Sequence, residues 1–94
     1  MANWKLKLDT VTASDLRSAI EAEDTIGIIN NLKKAYKYIN KSLPEYYDDS
    51  DLENDLETLS YIDEDDYDEI DYQLSEFWDL CDNLRIWVPI DSSI

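Results

Sequence analysis

The amino-acid sequence predicts a mainly α-helical fold, with about four helices in one small domain (residues 1–94) and room for a short two-stranded β pairing of the N- and C-terminal segments. Three observations lead there. Ninety-four residues suit one hydrophobic core and are too few for two comfortable ones. One Gly and two Pro are too few for the many tight turns of an all-β chain. Along most of the chain, apolar residues recur at steps of three and four, the period of a helix with one buried face. With 44% hydrophobic residues, including seven Tyr and three Trp, the chain has enough apolar surface to fold despite a charged fraction of 33%.

The elements follow in order. Trp4 to Leu8 alternate apolar and polar residues, the period of a half-buried strand. Thr12, with Asp15 three residues on, offers an N-cap for a first helix over about 13–22, whose Leu16, Ala19 and Ile20 share a face. Thr25 offers a cap for a second helix carrying Ile26, Ile29, Leu32, Tyr36, Ile39 and Leu43, which Pro44 ends; its outer face holds Lys33, Lys34, Lys37 and Lys41. Ser50 and Glu53 have capping-box spacing ahead of Leu52, Leu56 and Leu59, predicting a third helix over about 51–61. Tyr67, Ile70, Leu74, Phe77, Cys81 and Leu84 form one apolar stripe, which predicts a long fourth helix over about 64–84. Residues 85–90 read as extended, rich in β-branched and aromatic side chains, with Pro89 at an end and the N-terminal strand as partner. Trp4, Trp87 and Ile90 either complete the core or form a dimer contact, so the oligomeric state stays open.

Charge is distributed unevenly. Residues 1–44 hold seven basic and five acidic side chains, whereas residues 45–84 hold seventeen Asp or Glu and no Lys or Arg; the net charge is −15. Leu52, Leu56, Leu59, Ile62, Ile70, Leu74, Phe77 and Leu84 run through the acidic half, so the acid belongs to folded helices and not to a disordered tail. Such a surface attracts a basic partner, repels free nucleic acid and anionic lipid, and in the plainest reading serves solubility alone. With a lone Cys81, no apolar run long enough to cross a bilayer and no N-terminal leader pattern, the expected location is the cytoplasm.

Catalysis is not expected. His is absent, which removes the commonest general acid/base and metal ligand and the Ser/His and Cys/His nucleophile pairs. Cys81 lies on the apolar stripe, where a thiol behaves as a small hydrophobe. The single Gly27 cannot form a phosphate-cradling loop. An EF-hand register starting at Asp49 places Asn54 and Ser60 where Gly and a bidentate acid are needed, and one starting at Asp63 places Asp68 and Leu74 there. No pair of carboxylates is singled out for acid/base work, and no cofactor or metal is expected.

The candidate partner-binding residues are Asp48, Asp49, Asp51, Glu53 and Asp55 in the third helix region, and Asp65, Asp66, Asp68, Glu69, Tyr72, Glu76 and Asp79 in the fourth. Asp65, Glu69, Tyr72, Glu76, Asp79 and Asp82 form a row at helical steps opposite the apolar stripe. At ~1.5 Å rise per residue its members are about 4.5–6 Å apart, comparable to the charge spacing of a nucleic-acid strand. Tyr46, Tyr47 and Tyr72 are the candidate exposed anchors.

In size, acidic helical surface, lack of His and interleaved tyrosines, the chain resembles the nucleic-acid-mimicking inhibitors that phages deploy against restriction or CRISPR nucleases. Leu43, Pro44, Glu45, Tyr46 and Tyr47 are also similar to a segment of barstar, the acidic intracellular ribonuclease inhibitor, and Ser14, Asp15 and Leu16 to its earlier helix start; Asp48 stands where that family has glycine. Both resemblances imply an acidic protein that blocks an enzyme by binding its basic surface. An immunity or antitoxin protein for a basic toxin, and a regulatory adaptor, are the alternatives.

Overall fold

The computed structural model describes residues 4–89, and the expected architecture is present: β1 (Leu6–Lys7), α1 (Thr10–Glu21), α2 (Thr25–Ser42), α3 (Asp49–Ser60), α4 (Tyr67–Asn83) and β2 (Ile86–Trp87). All four helices start on an aspartate. Asp9, Asp24, Asp48 and Asp66 each accept a hydrogen bond from the backbone N–H three residues on, at 3.0, 3.1, 2.9 and 3.2 Å. This corrects the expected caps Thr12, Thr25 and Ser50, which lie inside their helices. The reason is electrostatic: a carboxylate accepts more strongly than a hydroxyl and its charge also meets the positive end of the helix dipole. Helices α1 and α3 therefore begin earlier than expected, whereas α4 begins later, because residues 63–66 form the turn that delivers Asp66.

Helix α1 ends in a Schellman turn: the Glu23 N–H donates to Ile20 O and the Asp24 N–H to Ala19 O, with Glu23 in the left-handed region at φ 54°. The next residue, Asp24, caps α2, so the chain reverses at once. Gly27 permits this tight return, since a Cβ there would lie 2.6 Å from the Asp24 carboxylate and 3.1 Å from Ala19.

Helix α2 lies at the centre and packs against α1, α3 and α4. Its Leu32 and Ile39 meet Leu8, Leu16, Leu59 and Phe77 in a core from which water is excluded. Tyr36 stacks on Tyr47 (centroids 5.7 Å apart, planes at 19°) and receives Phe77 edge to face at 5.4 Å and 89°. The apolar stripe of α4 starts at Ile70: Tyr67, expected as its first member, is 59% exposed, and Gln73 is buried instead, donating to Glu69 at 2.9 Å. Ile26 is likewise exposed, in the first turn of α2.

The two strands pair, and in parallel, with Leu6 opposite Ile86 and Lys7 opposite Trp87. The helical domain is thus the crossover that a parallel pair requires. Arg85, at φ 58°, turns the chain from α4 into β2. Trp4 and Trp87 are both exposed, while Ile90 lies outside the described residues.

Cys81 is buried, and desolvation pushes its thiol up to about 12. Burial, with Asp55 nearby, also holds the Tyr36 and Tyr47 hydroxyls well above the ordinary tyrosine range. All three groups fold in their neutral forms. In the unfolded chain they ionise at ordinary values, so their contribution is complete below about pH 9 and declines as pH rises, the thiol's share between about pH 9 and 12 and the tyrosines' from about pH 10 upward. Urea midpoints should be level between pH 7 and 8.5 and fall steeply above pH 9. Cys81→Ala should remove the first part of the fall.

Candidate acidic interface

The third-helix candidates divide by environment. Asp49, Asp51 and Glu53 are exposed, whereas Asp48 is occupied as the cap of α3. Asp49 also accepts from Asn40 Nδ2 at 3.1 Å, and the same amide nitrogen reaches Tyr47 O at 3.0 Å, so Asn40 ties α2 to the start of α3. Asp55 is half-buried and takes the Tyr47 hydroxyl at 2.5 Å.

Tyr47 is therefore no exposed anchor. It is 2% exposed, stacked on Tyr36 between α2 and α3, and its hydroxyl is satisfied by Asp55. Tyr47→Phe should cost about 1–2 kcal/mol, the low end for a hydrogen bond to a charged group because Asp55 retains some access to water. Urea denaturation checks this; an unchanged midpoint would mean that the bond adds nothing.

In the fourth-helix region, Asp65 precedes the helix, in the turn from α3, and so leaves the expected row; Asp66 is the cap. Asp68 is exposed in the first turn, and Glu69 is half-buried against Gln73. Tyr72, Glu76, Asp79 and Asp82 lie on solvent as expected. Asp71, which the row omitted, joins them, three residues from Asp68; a helical net drawn from Asp66 would have found it. The exposed strip of α4 is thus Asp68, Asp71, Tyr72, Glu76, Asp79 and Asp82, with Trp78 at its edge at 37% exposure.

Part of the acid supports the helices. Asp49, Asp51, Asp68 and Glu69 occupy first turns, where negative charge meets the positive end of the dipole. Asp82 sits in the last turn of α4, which holds no basic residue, and there the dipole disfavours it; Asp79 lies just before that turn. Among the described residues no Lys forms an ion pair with any carboxylate. Arg85 lies just past the end of α4, and the lysines lie elsewhere. Lys34, Lys37 and Lys41 project from α2, while Lys5 sits over the Tyr46 ring at 4.0 Å and Lys7 over Trp87 at 5.0 Å.

Of the tyrosine anchors, Tyr46 and Tyr72 are exposed, Tyr46 already covered on one face by Lys5. Tyr61 and Tyr67, at the end of α3 and the start of α4, are exposed too and extend the aromatic surface.

Comparison with known proteins returns no matching family model, no similar curated protein and no similar solved structure. The functional reading therefore rests on this surface alone. Among the described residues no group of three or more His, Cys, Asp or Glu is placed to hold a metal ion, and no helix is long and apolar enough to cross a membrane.

Proposed function

We propose that the protein is a non-catalytic inhibitor whose acidic face on α3 and α4 occupies the basic nucleic-acid-binding surface of a nuclease or other nucleic-acid enzyme, in place of the natural polyanion. The observation that carries this reading is the strip from Asp68 to Asp82. It runs the length of α4, forms no ion pair among the described residues, and ends on Asp82 in the last turn, where the helix dipole disfavours a negative charge. Solubility alone would be served as well by acids in first turns. Lys and Arg of the target would pair with the carboxylates, and Tyr72 would supply a partly apolar contact at the centre of the strip. The mechanism is steric and electrostatic, it requires no cofactor, and it places the protein in the cytoplasm with its target, a host cytoplasm if a phage encodes it.

Affinity capture on the immobilised protein tests this. A nucleic-acid enzyme should be retained from a bacterial lysate, released by rising salt, and released at low salt by duplex DNA or RNA. Retention of a toxin indifferent to nucleic acid would favour an immunity protein, and retention of no nucleic-acid enzyme would contradict the proposal.

A further inference from the structure

A groove of about 330 Å³ separates the α1–α2 turn from α4. It is lined by Ile20 and Ile28 on one side and Ile70 and Leu74 on the other, with the exposed ring of Tyr67 beside them. Half-buried Thr25 and the exposed carboxylates of Glu23 and Asp71 complete its lining, and among the described residues no basic side chain belongs to it. An apolar channel whose only charged side chains, among the described residues, are carboxylates suits an aliphatic stem that ends in a cation. Tyr67 adds a π face, which a planar guanidinium uses better than an ammonium because it is more weakly hydrated and stacks.

The backbone supplies a separate observation. Glu23 occupies the left-handed position that closes α1, where glycine is the ordinary residue and a side chain is strained. The turn needs the conformation but has no need of a carboxylate. Glycine would serve the fold better, yet the residue present puts a negative charge on the groove.

We infer that this groove receives an arginine side chain of the protein partner, its methylene stem on the isoleucines and Leu74, its guanidinium beside Glu23 and Asp71 and against Tyr67. The inference rests on the reading of a basic partner and adds a shaped subsite to a surface otherwise defined by charge. It also predicts a preference for arginine over lysine, which a plain acidic face does not impose.

The test uses the full chain with ¹³C-labelled Ile and Leu methyl groups, titrated with N-acetyl-arginine methylamide and, in parallel, with the lysine and norleucine analogues. The arginine compound should shift the methyl signals of Ile20, Ile28, Ile70 and Leu74 in a saturable way, several-fold more tightly than lysine, with norleucine weakest. Glu23→Gly should raise the melting temperature yet weaken arginine binding at least threefold, and Asp71→Asn should weaken it without altering the fold. Shifts scattered over the chain, equal response to norleucine, or full binding by Glu23→Gly would overturn the assignment. Because the fragment needs no partner, failure here leaves the α4 strip intact, and failure of the capture experiment leaves a positive titration standing.

Discussion

Phe77→Ala should destabilise the protein by about 3–5 kcal/mol, the range for emptying a fully buried aromatic site. Phe77 is completely enclosed, meets Tyr36 edge to face at 5.4 Å and lies 5.3 Å from Trp78. Its removal opens a cavity beside the ring stack through which α4 supports α2 and, by way of Tyr36 and Tyr47, the start of α3. A domain of this size holds only about 5–14 kcal/mol in total, so the variant should lose a large part of it, with a melting temperature lower by about 15–30 °C. Urea and thermal unfolding followed by circular dichroism measure both. Phe77→Leu, which refills most of the volume, should recover more than half of the loss. A drop of less than 1 kcal/mol for the alanine variant would mean that α4 is not anchored through this ring.

The second large effect concerns binding and has the opposite consequence for stability. Glu76→Gln, Asp79→Asn and Asp82→Asn together should weaken capture of the partner about 30-fold, taking ~0.7 kcal/mol for each partly exposed charge pair. The same triple variant should be as stable as the parent or slightly more so, since Asp82 lies at the negative end of the α4 dipole and none of the three carboxylates holds an ion pair among the described residues. Loss of binding with gain of stability is the pattern expected of side chains retained for an interface. The two quantities are read on one sample, by titration against the captured partner and by thermal unfolding. Weakened binding accompanied by unfolding would make these acids structural, and unchanged binding would remove them from the interface.

The contrast between elements explains what the sequence conveys. Helices α2 and α4 were legible because a long apolar stripe repeats the same signal over several turns, and the buried Cys81 and the strand pairing followed from the same patterns. Starts were harder. Asp9 and Thr12, or Asp48 and Ser50, are all good caps, and the choice between them depends on which upstream carboxylate reaches the third N–H once the helix has formed. The positions of Tyr47 and Tyr67 are hidden from the sequence for a related reason. Nothing local shows that the loop after Pro44 folds Tyr47 back onto Tyr36, or that the turn at residues 63–66 leaves Tyr67 outside the packed stripe. The acidic face was legible as charge, but the division of its members into caps, hydrogen-bond acceptors and free carboxylates required the fold. The groove required it as well, since Ile20 and Ile28 face Ile70 and Leu74 only after three helices have packed.

Whether the α4 strip stands in for a nucleic acid is tested most directly by competition on the captured enzyme, followed by the anisotropy of a labelled duplex. Adding the protein should raise the apparent Kd of the duplex in proportion to its concentration without limit, and the triple α4 variant should need about 30-fold more to do the same. A plateau, or a ternary complex of the enzyme, the duplex and this protein, would show that the protein binds away from the nucleic-acid surface and would contradict the proposal.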